Sequence, residues 1–185
     1  MTYDTAFYER NLKFQKSLSV KLVPFLVRKY QFTTIADFGC GCGYFLKSLA
    51  VASKAKYYHG LNGTTPENLV LRNDRFIQCD FNHPVELGKK YGLVISLEVA
   101  EHIPAESSDI FIKSITDHAT KYILFSAATP GQGGVGHINE QPHEHWHKEF
   151  LKYGFQVHDT IRPYLKDKKA VPFWYRENIF LYDRG

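Results

Sequence analysis

The chain is poor in the features that mark several broad protein classes. Only three cysteines occur in 185 residues, and two of them, Cys40 and Cys42, lie inside one glycine-rich stretch. That number and placement exclude a disulfide framework and lead to the expectation of a reducing, cytoplasmic compartment. A Cys-x-Cys pair is also too closely spaced for a usual zinc knuckle. No apolar core of a signal peptide opens the chain, and no apolar run approaches the roughly 20 residues of a membrane span, so neither is expected. Dense Lys/Arg runs are missing as well. The net charge is +4 and the basic residues are scattered, with Lys166, Lys168 and Lys169 read as a solvated loop. Nucleic acid is therefore not an expected partner. Internal repeats and low-complexity tracts are absent.

What is there is enough length, with 44% apolar residues, for a single domain over 1–185 with a sizeable core. The stretch Ile35-Ala36-Asp37-Phe38-Gly39-Cys40-Gly41-Cys42-Gly43-Tyr44-Phe45 organises the rest. It reads as a short buried strand, a glycine turn and a helix, with Phe45, Leu46 and Leu49 at helical spacing. Glycines are needed where backbone turns sharply or a ligand comes close. The helix N-terminus beyond offers unpaired N–H groups to an anionic ligand group. This is the arrangement of a cofactor-binding turn in a doubly wound α/β domain.

A helical reading precedes it over 2–30, with Phe7, Leu18, Leu22, Phe25 and Leu26 able to line one face. Pro24 predicts either a second helix or a kink. After the glycine turn, the pattern predicts a helix to about Ser53, a strand over 56–61 ending at Asn62, and a helix over 65–74. Thr65-Pro66-Glu67 has the cap, proline and acid that open a helix. A third strand is predicted over 75–79 and a loop over 82–91. The fourth strand covers 93–97 and a helix 104–119. The fifth strand, 122–126, is fully apolar, as in a buried parallel sheet. A glycine-rich loop over 128–142 is too long for a mere connector. A helix over 144–153 then ends at Gly154, and strands over 155–161 and 179–182 are joined by a hairpin connection over 166–177.

A dinucleotide fingerprint would need glycine where Tyr44 stands and an acid where Asn62 stands, which disfavours an oxidoreductase. Asp37-Phe-Gly-Cys-Gly-Cys-Gly instead resembles motif I of the class I S-adenosylmethionine-dependent methyltransferases. Gln78-Cys79-Asp80-Phe81 resembles the end of that family's third strand. Glu98-Val99-Ala100-Glu101-His102 resembles its signature after the fourth. The resemblance implies a Rossmann-like, doubly wound, mostly parallel seven-stranded sheet with an antiparallel last strand and helices on both faces. It implies S-adenosyl-L-methionine as cofactor, bound by Asp37, Gly39, Cys40, Gly41, Asn62, Asp80, Phe81, Leu97 and Glu98. Gly39 and Gly41 would approach its methionine part, Asn62 its ribose, Asp80 its adenine amine, and Phe81 its ring. Asn62 departs from the family's acid: its carbonyl still accepts a hydroxyl hydrogen bond, without the charge. Leading helices over 1–30 would cover the cofactor, and Tyr3, Phe7 and Tyr8 are candidates either to shield it or to pack in the core.

Methyl transfer asks for alignment, exclusion of water and a base for the acceptor's proton. Two stretches can supply that base. Glu98, Glu101 and His102 stand at i, i+3 and i+4, one face of a helix, beyond the fourth strand. His137 stands in the glycine-rich loop after the fifth. His137, Glu101 and His102 are the candidate catalytic residues, with His137 over an acceptor pocket. Together with Glu98 they are also a plausible ligand set for one divalent metal. That set resembles the metal-assisted O-methyltransferases of the small-RNA end-methylating and ubiquinone-pathway families. The alternative is a similar run with no metal. His143, His145 and His147 are either a zinc site or a solvated helix start, Trp146 a core anchor or a pocket rim, and Trp174-Tyr175-Arg176 a pocket wall or sheet-edge cover. The expected activity is methylation of oxygen or nitrogen on a small-molecule or sugar-like acceptor. A metal-assisted RNA-end 2'-O-methyltransferase and a non-catalytic adenosylmethionine-binding module are the alternatives.

Overall fold

Alternation along the central strands places the layers. In β1 (Thr34–Phe38), Ile35 belongs to the core on one face, while Ala36 and Phe38 belong to the core on the other. The computed structural model describes residues 5–184, and side chains from residue 8 onward. Tyr3 and the side chain of Phe7 lie outside the described residues.

The chain begins with α1 (Thr5–Lys29), continues through β1 to α2 (Tyr44–Ala52), and then forms β2 (Tyr57–Asn62), β3 (Phe76–Gln78) and β4 (Tyr91–Leu97). After these come α3 (Ser108–His118), β5 (Ala119–Ser126), α4 (His143–Leu151), β6 (Gln156–His158), α5 (Ile161–Leu165), α6 (Phe173–Asn178) and β7 (Phe180–Asp183). The seven strands run in the order β3-β2-β1-β4-β5-β7-β6. β1, β2, β3, β4 and β5 pair in parallel, with Ile35 opposite Tyr58 on one side and Leu93 on the other. β7 pairs antiparallel to β5, Leu124 opposite Leu181, and antiparallel to β6. Helices α1, α2, α5 and α6 pack on one face through Leu18, Leu22, Leu26, Phe45, Leu49, Leu165 and Tyr175. Helices α3 and α4 pack on the other through Phe111, Ile115, Trp146 and Phe150. The strand order reverses between β1 and β4, so the crevice beyond their carboxyl ends is the ligand position of this architecture.

Four expectations differ from the structure. Of the two outcomes expected at Pro24, no second helix begins there: α1 runs through it, with Pro24 exposed while Leu22, Val23, Phe25 and Leu26 around it are buried, and Val20, whose carbonyl loses its helical donor to the proline, is exposed. Residues 65–74 form no helix, only a turn and the 3-10 turn Asn73–Arg75. That segment is held instead by distant partners: Val70 N–H donates to Cys42 O, Asn68 Nδ2 donates to Tyr8 O, and the buried Leu71 sits against Gly43 and Gly60. The long hairpin connection expected over 166–177 contains α6, and α5 begins where the strand expected over 155–161 should end, leaving only β6; their Ile161, Leu165 and Tyr175 are buried. Finally, Glu98 is not helical. It has φ +57, and the helical part of its run is the single 3-10 turn Ala100–His102.

Candidate active site

The glycine turn is shaped by what presses on it. A Cβ on Gly39 would stand 2.2 Å from Val99 Cγ2, and one on Gly41, at φ +52, would stand 2.8 Å from Asn11 Oδ1. Close packing therefore demands these glycines before any ligand does. The turn is pinned from above by Gln15 of α1, which is buried. Its Nε2 donates to Cys40 O (3.0 Å) and Asn11 Oδ1 (2.8 Å), and its Oε1 accepts from Phe45 N–H (3.1 Å) and the Cys42 thiol (3.4 Å). So the α2 N-terminus, expected to offer free N–H groups, has the Phe45 amide capped by a side chain of α1. Asn62 supports the turn from the other side. Its Oδ1 accepts Gly41 N–H at 3.3 Å, and its Nδ2 donates to Thr64 O at 2.8 Å. One lone pair and one N–H stay for a ligand.

Beneath α1 lies a cavity of about 750 Å³. Asp37, Gly39, Cys40, Gly41, Asn62, Asp80, Phe81, Leu97, Glu98, Glu101, His102 and His137 all line it, together with Tyr8, Phe14 and Gln15 of α1 and Trp174 of α6. Asp37 is 5% exposed, and burial pushes its carboxyl up to about 8. Asp80 is exposed. It accepts hydrogen bonds from Asn82 N–H, Asn82 Nδ2 and His83 Nδ1, and the first of these leads in holding its carboxyl below the usual range. Phe81 stacks on Phe38 and meets Phe111 edge-on.

At the other end, the loop over 127–142 folds back onto the turn after β4. Ile138 N–H and Asn139 N–H both donate to the Glu101 carbonyl (2.9 and 3.0 Å), and His102 Nδ1 donates to Gly136 O (3.0 Å). These bonds bring His137 over Glu101, its Nε2 3.9 Å from Glu101 Oε1. The opposite nitrogen, Nδ1, contacts Glu140 Oε1 at 2.9 Å, and Glu140 also accepts Gly131 N–H and Gly133 N–H, each at 2.8 Å. The His137 contact leads in holding the Glu140 carboxylate below the usual range. Glu101 is 0% exposed, and neither carboxyl oxygen has a hydrogen-bond partner among the described residues. Burial, reinforced by the charge of Glu98, holds its carboxyl well above the usual range. Burial lowers His102. One ligand atom each of Glu101, His102 and His137 falls within 4.8 Å of the others. Glu98 is not in that group. Its oxygens accept from Gln132 Nε2 (3.2 Å) and Asn178 Nδ2 (3.5 Å), and burial raises its carboxyl.

No protein-family model matches the chain, and no curated protein matches its sequence. Solved structures do match. The sugar N-methyltransferase KedS8 from Streptoalloteichus sp ATCC 53650 superposes with a TM-score of 0.73 at 12% identity, over 100% of this chain and 94% of that one. Magnesium protoporphyrin IX methyltransferase (ChlM) from Synechocystis PCC 6803 with bound SAM gives 0.65 at 20% identity, over 100% and 86%. SAM-bound CalS10, an amino pentose methyltransferase from Micromonospora echinaspora, gives 0.65 at 12%, over 100% and 99%. The fold is that of the class I methyltransferases.

Within the class I frame, the sequence-selected residues divide clearly. Both ends of the expected site open on one cavity, and Trp174 is part of its wall. The histidines of α4 stand elsewhere. His143 and His147 share a face and His147 Nδ1 contacts Tyr182 Oη at 2.8 Å, while His145 lies against Trp146; the three form no metal-type cluster among the described residues. Trp146 is a core residue between α4 and β5, not a pocket rim. Four residues that build the site escaped sequence reasoning: Gln15, Gln132, Glu140 and Asn178. Gln15 left a trace, a polar residue on the apolar stripe of Leu18 and Leu22. Glu140 left His-x-x-Glu, which means nothing in a loop without a period. Gln132 and Asn178 carry no local signal.

Proposed function

We propose that this chain is an S-adenosylmethionine-dependent methyltransferase acting on oxygen or nitrogen of a small-molecule or sugar-like acceptor, its 185 residues forming one such domain with α1 over the cofactor. The observation that carries this reading is the single cavity joining the glycine turn, Asn62 and Asp80 to the Glu101–His102–His137 cluster. Two of the solved structures of this fold are, by their descriptions, enzymes of sugars.

The residues present fit the cofactor. About 750 Å³ is the size of a small-molecule pocket. The buried Asp37 carboxyl suits a ligand ammonium, and the remaining donor and acceptor of Asn62 suit ribose hydroxyls. When bound, the cofactor supplies a methyl group already activated by its sulfonium. The chain's own task is then to align the acceptor, exclude water and take one proton. Phe14, Leu97 and Trp174 provide apolar walls. His137 takes the acceptor's proton on Nε2, because Nδ1 is committed to Glu140. The Glu140 carboxylate stabilises the resulting imidazolium, as the carboxylate of a Ser-His-Asp triad does. Glu101 faces the same ring from the other side, and His102 braces the loop through Gly136.

One observation favours a second reading. Glu101, His102 and His137 converge, and the Glu101 oxygens are buried without a partner, a donor set that suits a divalent cation. Such an ion would orient an acceptor hydroxyl and lower its pKa. This reading goes with the metal-assisted RNA-end enzymes, and a net charge of only +4 argues against RNA as the acceptor.

Calorimetric titration with S-adenosylmethionine and S-adenosylhomocysteine, followed by turnover with an acceptor panel with and without chelator, tests both readings. Binding with chelator-resistant turnover supports the first, and chelator-sensitive turnover the second. Binding without turnover points to a non-catalytic module, and absence of binding ends the methyltransferase reading.

A further inference from the structure

We infer that the acceptor carries a phosphate group, held in a groove beside the main cavity, between α1 and the approach to α6; this deepens the methyltransferase reading and rests on it. The groove has a volume of about 530 Å³. Its lining includes Lys13 of α1, Lys169 of the segment before α6, and Arg176 within α6. No carboxylate lines it, and none lies within ion-pairing distance of these three cations among the described residues. Phe14, Phe173 and Trp174 line both the groove and the main cavity, so the two are adjacent across these rings. The three rings form an edge-to-face set, Trp174 standing 5.0 Å from Phe14 and 5.2 Å from Phe173.

Charge divides this space. The main cavity is lined by the carboxyl groups of Asp37, Asp80, Glu98 and Glu101 beside Arg10, whereas the ionisable groups of the groove are all cations. An anion therefore belongs to the groove. Lys13 and Lys169 have no structural use: neither side chain makes a hydrogen bond, ion pair or ring contact among the described residues. Arg176 is pre-oriented, its Nε donating to Val171 O and its Nη1 to Lys166 O, which leaves Nη2 for a ligand. Three cations, from α1, from the segment before α6 and from α6, line one groove, and such a set suits the several oxygens of a phosphate better than the two of a carboxylate. Aromatic rings between anion site and cavity offer stacking faces for the part of the acceptor that joins the two.

The test titrates the full chain, saturated with S-adenosylhomocysteine at low salt, with inorganic pyrophosphate, inorganic phosphate and acetate, and repeats it on Lys13→Ala/Lys169→Ala. Both lysines are exposed, so the variant keeps its fold, and its S-adenosylhomocysteine affinity serves as the control. Expected is saturable binding of a phosphate species, weakening as salt rises, about tenfold weaker in the double variant, with acetate inert. Pyrophosphate binding well above phosphate marks a diphosphate-linked acceptor, and equal binding marks a monoester. No binding of either, or binding indifferent to the two substitutions, overturns the inference while the cofactor titration leaves the methyltransferase reading standing. Lysine-dependent anion binding in a chain that binds neither cofactor form overturns the methyltransferase reading, and the acceptor role falls with it.

Discussion

His137 stands between two carboxyl groups, its Nδ1 2.9 Å from Glu140 Oε1 and its Nε2 3.9 Å from Glu101 Oε1. Under the proposed mechanism, Glu140 holds the tautomer and leaves Nε2, the nitrogen that faces Glu101, for the acceptor's proton. His137→Ala is expected to lower transfer by about 10²–10⁴-fold with cofactor Kd unchanged. Glu140→Gln keeps the shape and loses the charge, with an expected loss of about 10–100-fold. Single-turnover rates beside calorimetric Kd values check this. A large loss of cofactor affinity in either variant would move His137 out of the acceptor side.

Gly134 is the floor under that ring. A Cβ there would stand 2.3 Å from His137 Nε2, although the backbone is in a region open to any residue. Gly134→Ala is therefore expected to swing the imidazole away while leaving the fold intact. Thermal unfolding should match the wild type within a few degrees while transfer falls as it does in His137→Ala. Full activity in Gly134→Ala would show that the ring position does not matter.

Gln15 is expected to matter for stability out of proportion to its size. Its removal leaves the buried Phe45 amide without its side-chain partner and takes one of two donors from the Cys40 carbonyl, which still accepts Gly43 N–H. The first loss costs about 1–3 kcal/mol and the second about 0.5–1.5 kcal/mol, so Gln15→Ala should lower stability by roughly 2–4 kcal/mol, or Tm by about 4–16 °C. Calorimetric melting of the two proteins decides it.

Much of this architecture was legible from one chain, for reasons that particular residues show. Strands β1, β4 and β5 carry apolar runs because both sheet faces are covered, and such runs look the same in sequence as in space. The glycines at 39, 41 and 43 were visible because side chains from elsewhere leave no room for a Cβ. The helix expected over 65–74 had every local signal and does not form, since Leu71 is drawn onto Gly43 and Gly60, partners no local pattern reveals. Likewise Glu101, His102 and His137 could be nominated separately, but their meeting depends on two amides of the loop finding the Glu101 carbonyl. The shared helix face assumed for Glu98 was wrong because its left-handed backbone ends the strand before the turn begins.

Asp37 sets an acid-side pH dependence. Its folded-state carboxyl sits at about 8 against an ordinary 3.8, so the folded chain holds an extra proton between those values. Stability from this group is complete below about pH 4 and is lost as pH rises toward 8, at up to ~1.4 kcal/mol per pH unit. The raised carboxyls of Glu98 and Glu101 act in the same direction. Chemical denaturation of the ligand-free protein at pH 5, 6.5 and 8 should show this decline, and Asp37→Asn should make it shallower, with the share of the two glutamates remaining. An unchanged slope in the variant would place the proton elsewhere.

The Gln15 bond to the Phe45 amide also bears on which nucleotides the chain turns away. In dinucleotide enzymes of related architecture, the pyrophosphate rests on amides at the start of the helix after the first strand. Here a carboxamide oxygen from α1 already occupies one of them, at 3.1 Å. A pyrophosphate arriving there would meet a neutral acceptor pointed at its own oxygens, in a pocket end that also carries Asp37. Discrimination against NAD-like ligands is thus expected to reside in a helix thirty residues upstream of the amide it caps, and grafting a dinucleotide fingerprint into the turn alone is expected to leave it in place.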